Sequence, residues 1–153
     1  MLDIVKAVGI FLALDFIYLS LMKQNFISLV RNIQGKELSL KPLPTLMVYI
    51  YILCAWYYFI YEPRIHMTKR DSVINSFVLG FLTYGIYDFT NLAIFDKWDI
   101  KTVVIDNIWG GILFSIPTLF ILLFFKSIMK SLLSNFFSLY FECPPFVFND
   151  GSL

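Results

Sequence analysis

The sequence is poor in charge, cysteine and histidine for a chain of 153 residues. Charged residues make up 15% of it, whereas a soluble domain carries about 25%. Hydrophobic residues make up 59%, which is more apolar surface than one small core can enclose. The scarcity of charge excludes a soluble enzyme and indicates an integral membrane protein.

Few side chains are available for metal, redox or nucleic-acid chemistry. The two cysteines, Cys54 and Cys143, give neither a disulfide framework nor the spacing of a zinc site. The formal net charge of +1 provides no basic surface for nucleic acid. No serine with a partner histidine and no phosphate-binding glycine loop is evident. We therefore expect no cofactor, no nucleic-acid partner and no catalytic residues, and the balance is against an enzyme.

Four apolar stretches are long enough to cross a bilayer. A hydrocarbon core about 30 Å thick requires about 20 apolar residues in a helix. The stretches are continuous rather than alternating, which indicates helices and not barrel strands. The sequence predicts an all-α integral membrane protein with four transmembrane helices in a compact bundle. Their approximate ranges are 4–22, 43–61, 73–94 and 102–125.

An aromatic tail follows the fourth predicted span. The connections between the spans are too short for a second domain, so we expect one transmembrane domain over 1–130. Residues 131–153 are apolar but are interrupted by Pro144 and Pro145. This composition predicts an interfacial or disordered tail.

The orientation in the membrane is almost undetermined by charge. The 12 Lys and Arg residues divide equally between the two sides of four spans. Only the amino terminus adds a further positive charge to the side that holds the chain ends. We therefore expect a multi-pass membrane protein with its termini in the cytoplasm.

Three aspartates interrupt the predicted spans. An ionisable side chain in hydrocarbon costs at least about 2.5–3.5 kcal/mol, so each of them requires a reason. Asp15, Asp88 and Asp106 lie roughly 6–11 Å from the same side of the bundle, at 1.5 Å per residue. Because buried acids turn towards a bundle interior, we expect the three carboxyl groups to converge in one leaflet.

Tyrosine and asparagine side chains extend this cluster. They occur at helical spacing around the aspartates and can donate hydrogen bonds to carboxylates. An oxygen-rich set of this kind suits protons, hard cations, hydroxyls or amines rather than zinc, copper or haem. A bound cation, if there is one, would take Asp15, Asp88 and Asp106. The candidate ligand-binding residues chosen by depth and spacing are Asp15, Tyr18, Tyr84, Asp88, Asn91, Asp106 and Asn107.

Each candidate also has a structural interpretation. Asp106 with Asn107 would fit the cap of the fourth helix, where the helix dipole favours an anion. Asp15 and Asn91 would fit hydrogen bonds between helices. A protonated Asp88 bonded to a tyrosine would be purely structural. Three acids at one depth are harder to explain in this way than any one of them alone.

The third and fourth helices resemble a known family signature. Residues 84–93 read YGIYDFTNLA, and they are followed by Trp98 and by DNIWG at 106–110. This pattern, with an aspartate early in the first helix, is similar to that of the DUF family numbered 2177. That signature has a Tyr-Asp-x-Thr-Asn core, a downstream tryptophan and an Asp-x-x-Trp-Gly run.

The resemblance covers roughly residues 4–125 and implies a small four-helix membrane protein with no established activity. It adds Thr90 and Trp109 to the candidate ligand-binding residues. The positions that match the family motif are Asp15, Asp88, Thr90, Asn91, Trp98, Asp106, Trp109 and Gly110.

Three functions are compatible with these features. The first is a membrane-embedded site that binds or moves a small polar solute, a proton or a cation. The second is a structural or partner-binding role, because four short helices bury limited surface and leave room for a second copy or another membrane protein. The third is an intramembrane lipid-modifying enzyme with two carboxylates as acid and base. We rank them in that order.

Overall fold

Residues 2–141 form four long helices joined by short connections. In the computed structural model the backbone is described for residues 2–141 and the side chains for residues 3–124. A π-helical turn, Tyr57–Tyr61, and a 3-10 turn, Pro63–His66, lie between the second and third helices. No strand occurs among residues 2–141, so the all-α fold class is confirmed. The helices are α1 (Leu2–Gln34), α2 (Pro42–Trp56), α3 (Lys69–Ile94) and α4 (Ile100–Phe141).

Four helical segments of the described residues are long and apolar enough to cross a membrane, as the sequence predicts, and the second consists of α2 with the two turns that follow it. The connection 95–99 lies at the same end of the bundle as the end of α1, and we call it the 95–99 end. The opposite end carries the start of α1 and the connection into α3, and we call it the 62–68 end. The candidate spans are Asp3–Gln34, Pro42–His66, Lys69–Ile94 and Ile100–Phe124.

Helix α1 continues well beyond its predicted end. The sequence places that end at Met22, whereas the helix runs to Gln34. Gly35 ends it with a φ of 66°, and its N–H donates to the Arg31 carbonyl at 2.9 Å. With 33 residues the helix is about 50 Å long, so its last turns project beyond a hydrocarbon core about 30 Å thick.

Helix α2 changes its winding before the predicted end of its span at residue 61. The α-helix stops at Trp56, and a π-helical turn carries the chain on to Tyr61. Trp56 and Ile60 are both buried, while the rings of Tyr57 and Tyr61 stack with centroids 5.4 Å apart. The wider turn therefore keeps one apolar face against the bundle.

Side-chain caps start α3 and α4 earlier than residues 73 and 102, where the sequence places them. The Thr68 hydroxyl accepts the Asp71 N–H at 3.1 Å. A carboxyl oxygen of Asp99 accepts the Thr102 N–H at 3.2 Å. Asp99 is thus the cap of α4, and the interpretation of Asp106 with Asn107 as that cap is wrong.

Helix α4 continues past its predicted end at residue 125. The predicted interfacial or disordered tail, 131–153, is helical as far as Phe141, and residues 142–153 lie outside the described part of the chain. The chain divides into two compact units, Met1–Ile121 and Leu122–Leu153, and the domain boundary at 130 stays a prediction. The separate role of a tail stays a prediction, and every site residue discussed below lies in the first unit.

Helices α3 and α4 meet backbone to backbone at two glycines. A β-carbon added to Gly80 would lie 2.1 Å from the Gly110 carbonyl oxygen, and one added to Gly110 would lie 2.7 Å from the Gly80 oxygen. Small residues permit such close approach of membrane helices. We call this the glycine contact, and it sets α3 and α4 so that Asp88 and Asp106 both lie on its 95–99 side.

Between the glycine contact and the 62–68 end, apolar side chains pack together and the buried polar side chains of the described residues are paired. Phe11 packs edge-on against Phe114 with ring centroids 5.2 Å apart. The Trp56 indole N–H donates to the Thr118 hydroxyl at 2.9 Å, and the Ser76 hydroxyl donates to the Phe114 carbonyl at 2.7 Å. The buried apolar cluster consists of Ala7, Phe11, Trp56, Ile60, Leu113, Phe114 and Ile121.

Candidate functional site

Asp15 accepts hydrogen bonds from three aromatic side chains. The hydroxyl of Tyr49 donates to its carboxyl group at 2.7 Å and that of Tyr84 at 3.2 Å, while the Trp109 indole N–H lies at 3.5 Å. The Asp15 side chain is buried. Its carboxyl group thereby joins α1 to α2, α3 and α4.

Asp106 is held by a tyrosine in the same region. The Tyr18 hydroxyl donates to an Asp106 carboxyl oxygen. The Tyr18 ring stacks on Trp109 with centroids 4.5 Å apart and planes 9° from parallel. This stack connects the Asp106 pair to Asp15. We call the connected set the tyrosine–aspartate network, and it comprises Asp15, Tyr18, Tyr49, Tyr84, Asp106 and Trp109.

Asp88 has no hydrogen-bond partner among the described residues, in contrast to the other two acids. Its side chain is 0% exposed, and neither carboxyl oxygen is paired. It lies close enough to Asp106 for their charges to interact. A bare carboxylate in such a place costs several kcal/mol. Asp88 therefore requires a proton, a water molecule, or a ligand that donates hydrogen bonds to it.

Three further buried polar atoms towards the 95–99 end lack partners among the described residues. They are Nδ2 of Asn91, Nε1 of Trp98 and Oδ1 of Asn107. The Asn107 amide lies 3.5 Å from the point that a β-carbon on Gly85 would occupy, which puts it against α3. Folded proteins leave few buried polar groups unpaired, so four residues at one end are informative. We call Asp88, Asn91, Trp98 and Asn107 the unpartnered site.

The structure sorts the predicted candidates into two groups and leaves one outside. Five belong to the tyrosine–aspartate network, and three belong to the unpartnered site. Thr90 belongs to neither, because it is exposed and its hydroxyl donates to the Ile86 carbonyl of its own helix at 2.6 Å. The role of the others in ligand binding stays a prediction. Of the predicted candidates, the network holds Asp15, Tyr18, Tyr84, Asp106 and Trp109, and the unpartnered site holds Asp88, Asn91 and Asn107.

The three aspartates do not form the cation site that the sequence allows. Among residues 3–124, no three His, Cys, Asp or Glu side chains lie close enough together to hold a metal ion. The hydrogen bonds explain this, because Asp15 and Asp106 are each turned towards aromatic donors. Of these three aspartates, Asp88 is the one whose carboxyl group has no partner among residues 3–124.

Tyr49 is a residue of the network that the sequence analysis missed. It lies seven residues after Pro42, so its depth from the 95–99 end is roughly 10 Å and matches that of Asp15. Tyrosines in spans more often pack or form interfacial belts, so depth alone does not single it out. The rotation of α2 about its axis turns Tyr49 towards Asp15, and the sequence does not show this rotation.

The comparisons with known proteins agree with this architecture. The family model DUF2177, described as a predicted membrane protein, matches residues 1–123. That range includes every residue of the network and of the unpartnered site. No curated protein and no solved structure matches the chain. The match covers most of the sequence and confirms the resemblance of its motifs, and the chain therefore belongs to the DUF2177 family of predicted membrane proteins.

Proposed function

We propose that the protein binds a small polar solute at Asp88, between α3 and α4 and within the membrane. The observation that carries the proposal is a fully buried carboxyl group without a partner, beside two acids whose hydrogen bonds are made. The stability of the fold does not require a carboxyl group at position 88, since replacing a buried charged group with an apolar one is often neutral or stabilising. A buried acid that does not serve the fold is a candidate for ligand binding.

The unpartnered atoms favour a solute that carries a primary ammonium group. Three of them are acceptors, namely both Asp88 oxygens and Oδ1 of Asn107, and an ammonium group has three N–H donors. Its charge would also neutralise the carboxylate. Nε1 of Trp98 is a donor for a hydroxyl or carboxyl group elsewhere on the solute, and Nδ2 of Asn91, which also approaches the Tyr87 hydroxyl, is a second. Small amino alcohols and amino acids have this combination of groups.

Thermal unfolding of the purified protein in detergent tests the proposal, with ethanolamine as the probe and ethylene glycol as its uncharged analogue. Ethanolamine at 100 times its Kd should stabilise the wild type by about 2.7 kcal/mol. Ethylene glycol at the same concentration should have a much smaller effect. Asp88→Asn should fold with unchanged helix content and lose the response to ethanolamine.

Asp96→Asn is the matched control, because Asp96 is an exposed acid in the connection next to the site. It should keep the wild-type response. A folded Asp88→Asn protein that responds like the wild type would refute binding at Asp88. Equal effects of ethanolamine and ethylene glycol on the wild type would refute the ammonium specificity.

The tyrosine–aspartate network supports a second candidate, a structural or partner-binding role. Its hydrogen bonds join all four helices, so the only role of Asp15 and Asp106 can be to hold the helices together. Association with a second copy or another membrane protein stays a prediction that mass measurement in lipid nanodiscs tests. A lipid-modifying enzyme has less support, because acid–base chemistry needs two available carboxyl groups and Asp106 is engaged by Tyr18.

The direction of insertion is a further part of the proposal. We place the 62–68 end in the cytoplasm, on the side that the amino terminus favours. In intact cells, an impermeant thiol reagent should then fail to label His66→Cys and should label it after permeabilisation. Labelling of His66→Cys in intact cells would reverse the orientation.

A further inference from the structure

The face of α3 that is turned towards the bundle carries Ser72, Ser76, Gly80, Asp88 and Asn91. It is buried near the 62–68 end and becomes more exposed near the 95–99 end. Ser72 and Ser76, near the 62–68 end, are 0% exposed, and Gly80 is buried. Past Asp88, the side chain of Asn91 is only half-buried and lies one turn from the end of the helix. Access to the inner face therefore increases towards the 95–99 end.

The glycine contact closes the direct route along α3 and α4. Besides the Gly80 and Gly110 backbones, the ring of Phe77 lies 2.5 Å from the point that a β-carbon on Gly111 would occupy. No solute fits between backbones this close. A solute in contact with Asp88 cannot continue along this groove to Ser76.

The remaining routes towards the 62–68 end are filled by apolar side chains. Phe11 of α1 and Phe114 of α4 pack edge to face and are at most 1% exposed. Leu113 is 0% exposed and belongs to the same cluster as Trp56 of α2. An apolar region at interior packing density excludes water and polar solutes.

We infer that the site around Asp88 opens to one side of the membrane only, so that a solute reaches it from the 95–99 end. The glycine contact and the Phe11–Phe114 cluster close it from the 62–68 end. The inference deepens the proposed function and rests on it for the identity of the solute. The position of the opening rests on packing alone.

Two features place the 95–99 connection at the entrance. The Trp98 ring packs edge-on against Tyr87 with centroids 6.1 Å apart, while its Nε1 is unpaired. The Lys97 ammonium group donates to the Asn32 carbonyl at 3.1 Å, which ties the connection to the projecting end of α1. On this inference the entrance lies beside Trp98, at the 95–99 end.

Sided cysteine labelling of the full-length chain tests the inference. The background carries Cys54→Ser and Cys143→Ser, and the protein is reconstituted in vesicles of one orientation. Lys97→Cys and His66→Cys report the two sides, since both residues are exposed in connections. An impermeant trimethylammonium methanethiosulfonate is then added from one side at a time to Asn91→Cys, Asn107→Cys or Ser76→Cys.

We expect Asn91→Cys and Asn107→Cys to react only from the side that labels Lys97→Cys. Ser76→Cys should not react from that side, because the glycine contact lies between it and Asp88. Labelling of Asn91→Cys or Asn107→Cys from the His66→Cys side would overturn the inference. Absence of labelling at both asparagine positions, in variants with wild-type helix content, would also overturn it.

The same experiment separates this inference from the proposed function. If an ammonium solute binds at Asp88, ethanolamine should slow the labelling of Asn91→Cys. One-sided labelling that ethanolamine does not slow would keep the one-sided opening and count against the proposed solute. Two-sided labelling that ethanolamine slows would keep the solute and reject the one-sided opening.

Discussion

Replacing Gly80 with alanine perturbs the closest contact between two helices of the bundle. The added methyl carbon would lie 2.1 Å from the Gly110 carbonyl oxygen and 2.8 Å from the Phe114 ring. Neither neighbour can move away cheaply, because one is helix backbone and the other is a fully buried ring. A normal carbon–oxygen contact is about 3.3–3.6 Å, so α3 and α4 must separate by roughly 1.2–1.5 Å at this point.

The expected cost follows from the packing that this separation disturbs. Overpacking a well-packed interior typically costs about 1–3 kcal/mol. Separation would also lengthen the hydrogen bond from Ser76 to the Phe114 carbonyl, which is now 2.7 Å. We therefore expect Gly80→Ala to lower the free energy of unfolding by about 3 kcal/mol, the upper end of that range. Gly9 has no atom within 4 Å of the added carbon, and Gly9→Ala should be neutral or stabilising by up to about 1 kcal/mol. In Gly85→Ala the added carbon would lie 3.5 Å from the Asn107 amide, which is an ordinary contact, so the stability of this variant should be close to that of the wild type.

Thermal unfolding of the three variants in one detergent measures these differences. Circular dichroism reports the helices, and tryptophan fluorescence reports their packing. The expected order of stability places Gly9→Ala at or above the wild type, Gly85→Ala close to it, and Gly80→Ala well below both. A Gly80→Ala protein as stable as Gly9→Ala would show that α3 and α4 do not touch there. It would also remove the barrier on which the one-sided opening depends.

Two further predictions concern a tyrosine and the end of α1. Tyr18→Phe should lower the free energy of unfolding by about 1–3 kcal/mol, since Asp106 loses its donor, and Tyr49→Phe should cost less because Asp15 keeps other donors. Equal melting temperatures of these two variants would contradict that order. Gly35→Ala should cost roughly 1–2 kcal/mol through its positive φ and hasten proteolysis of the α1–α2 connection, without altering the response to ethanolamine. Unchanged proteolysis would argue against this helix end.

The parts of the structure that the sequence predicts are those imposed by the bilayer. Hydrocarbon thickness fixes the length of a span, so four spans follow from four apolar stretches. Because each span has a known length, the depth of a residue in the bilayer can be counted from the sequence. Asp15, Tyr18 and Asp106 have similar depths, and the structure joins them in one network. Resemblance to a family motif adds Trp109, whose indole N–H lies near Asp15.

The sequence does not predict the helix turns that lie outside the hydrocarbon core, or the rotation of each helix about its axis. Hydropathy ends α1 at Met22 because the next turns are polar, yet a helix in water continues until a residue such as Gly35 stops it. Rotation about the helix axis decides that Tyr49 contacts Asp15 and that Thr90 faces outwards. It also decides that Asp88 has no donor within reach among the described residues, which neither depth nor spacing reveals.

The distribution of paired and unpaired groups limits how a solute can cross this bundle. The Asp15 carboxyl group accepts three hydrogen bonds, and the side chains of Trp56, Ser76 and Thr118 beyond the glycine contact are paired with one another. Between these two groups, residues 3–124 offer no unpaired buried side chain to carry a solute onwards. If a solute binds at Asp88 as proposed, binding would precede any movement, and movement would require α3 and α4 to separate at Gly80. A protein that only binds needs no such separation, so under this proposal stabilising the glycine contact would prevent movement of the solute and leave its binding intact.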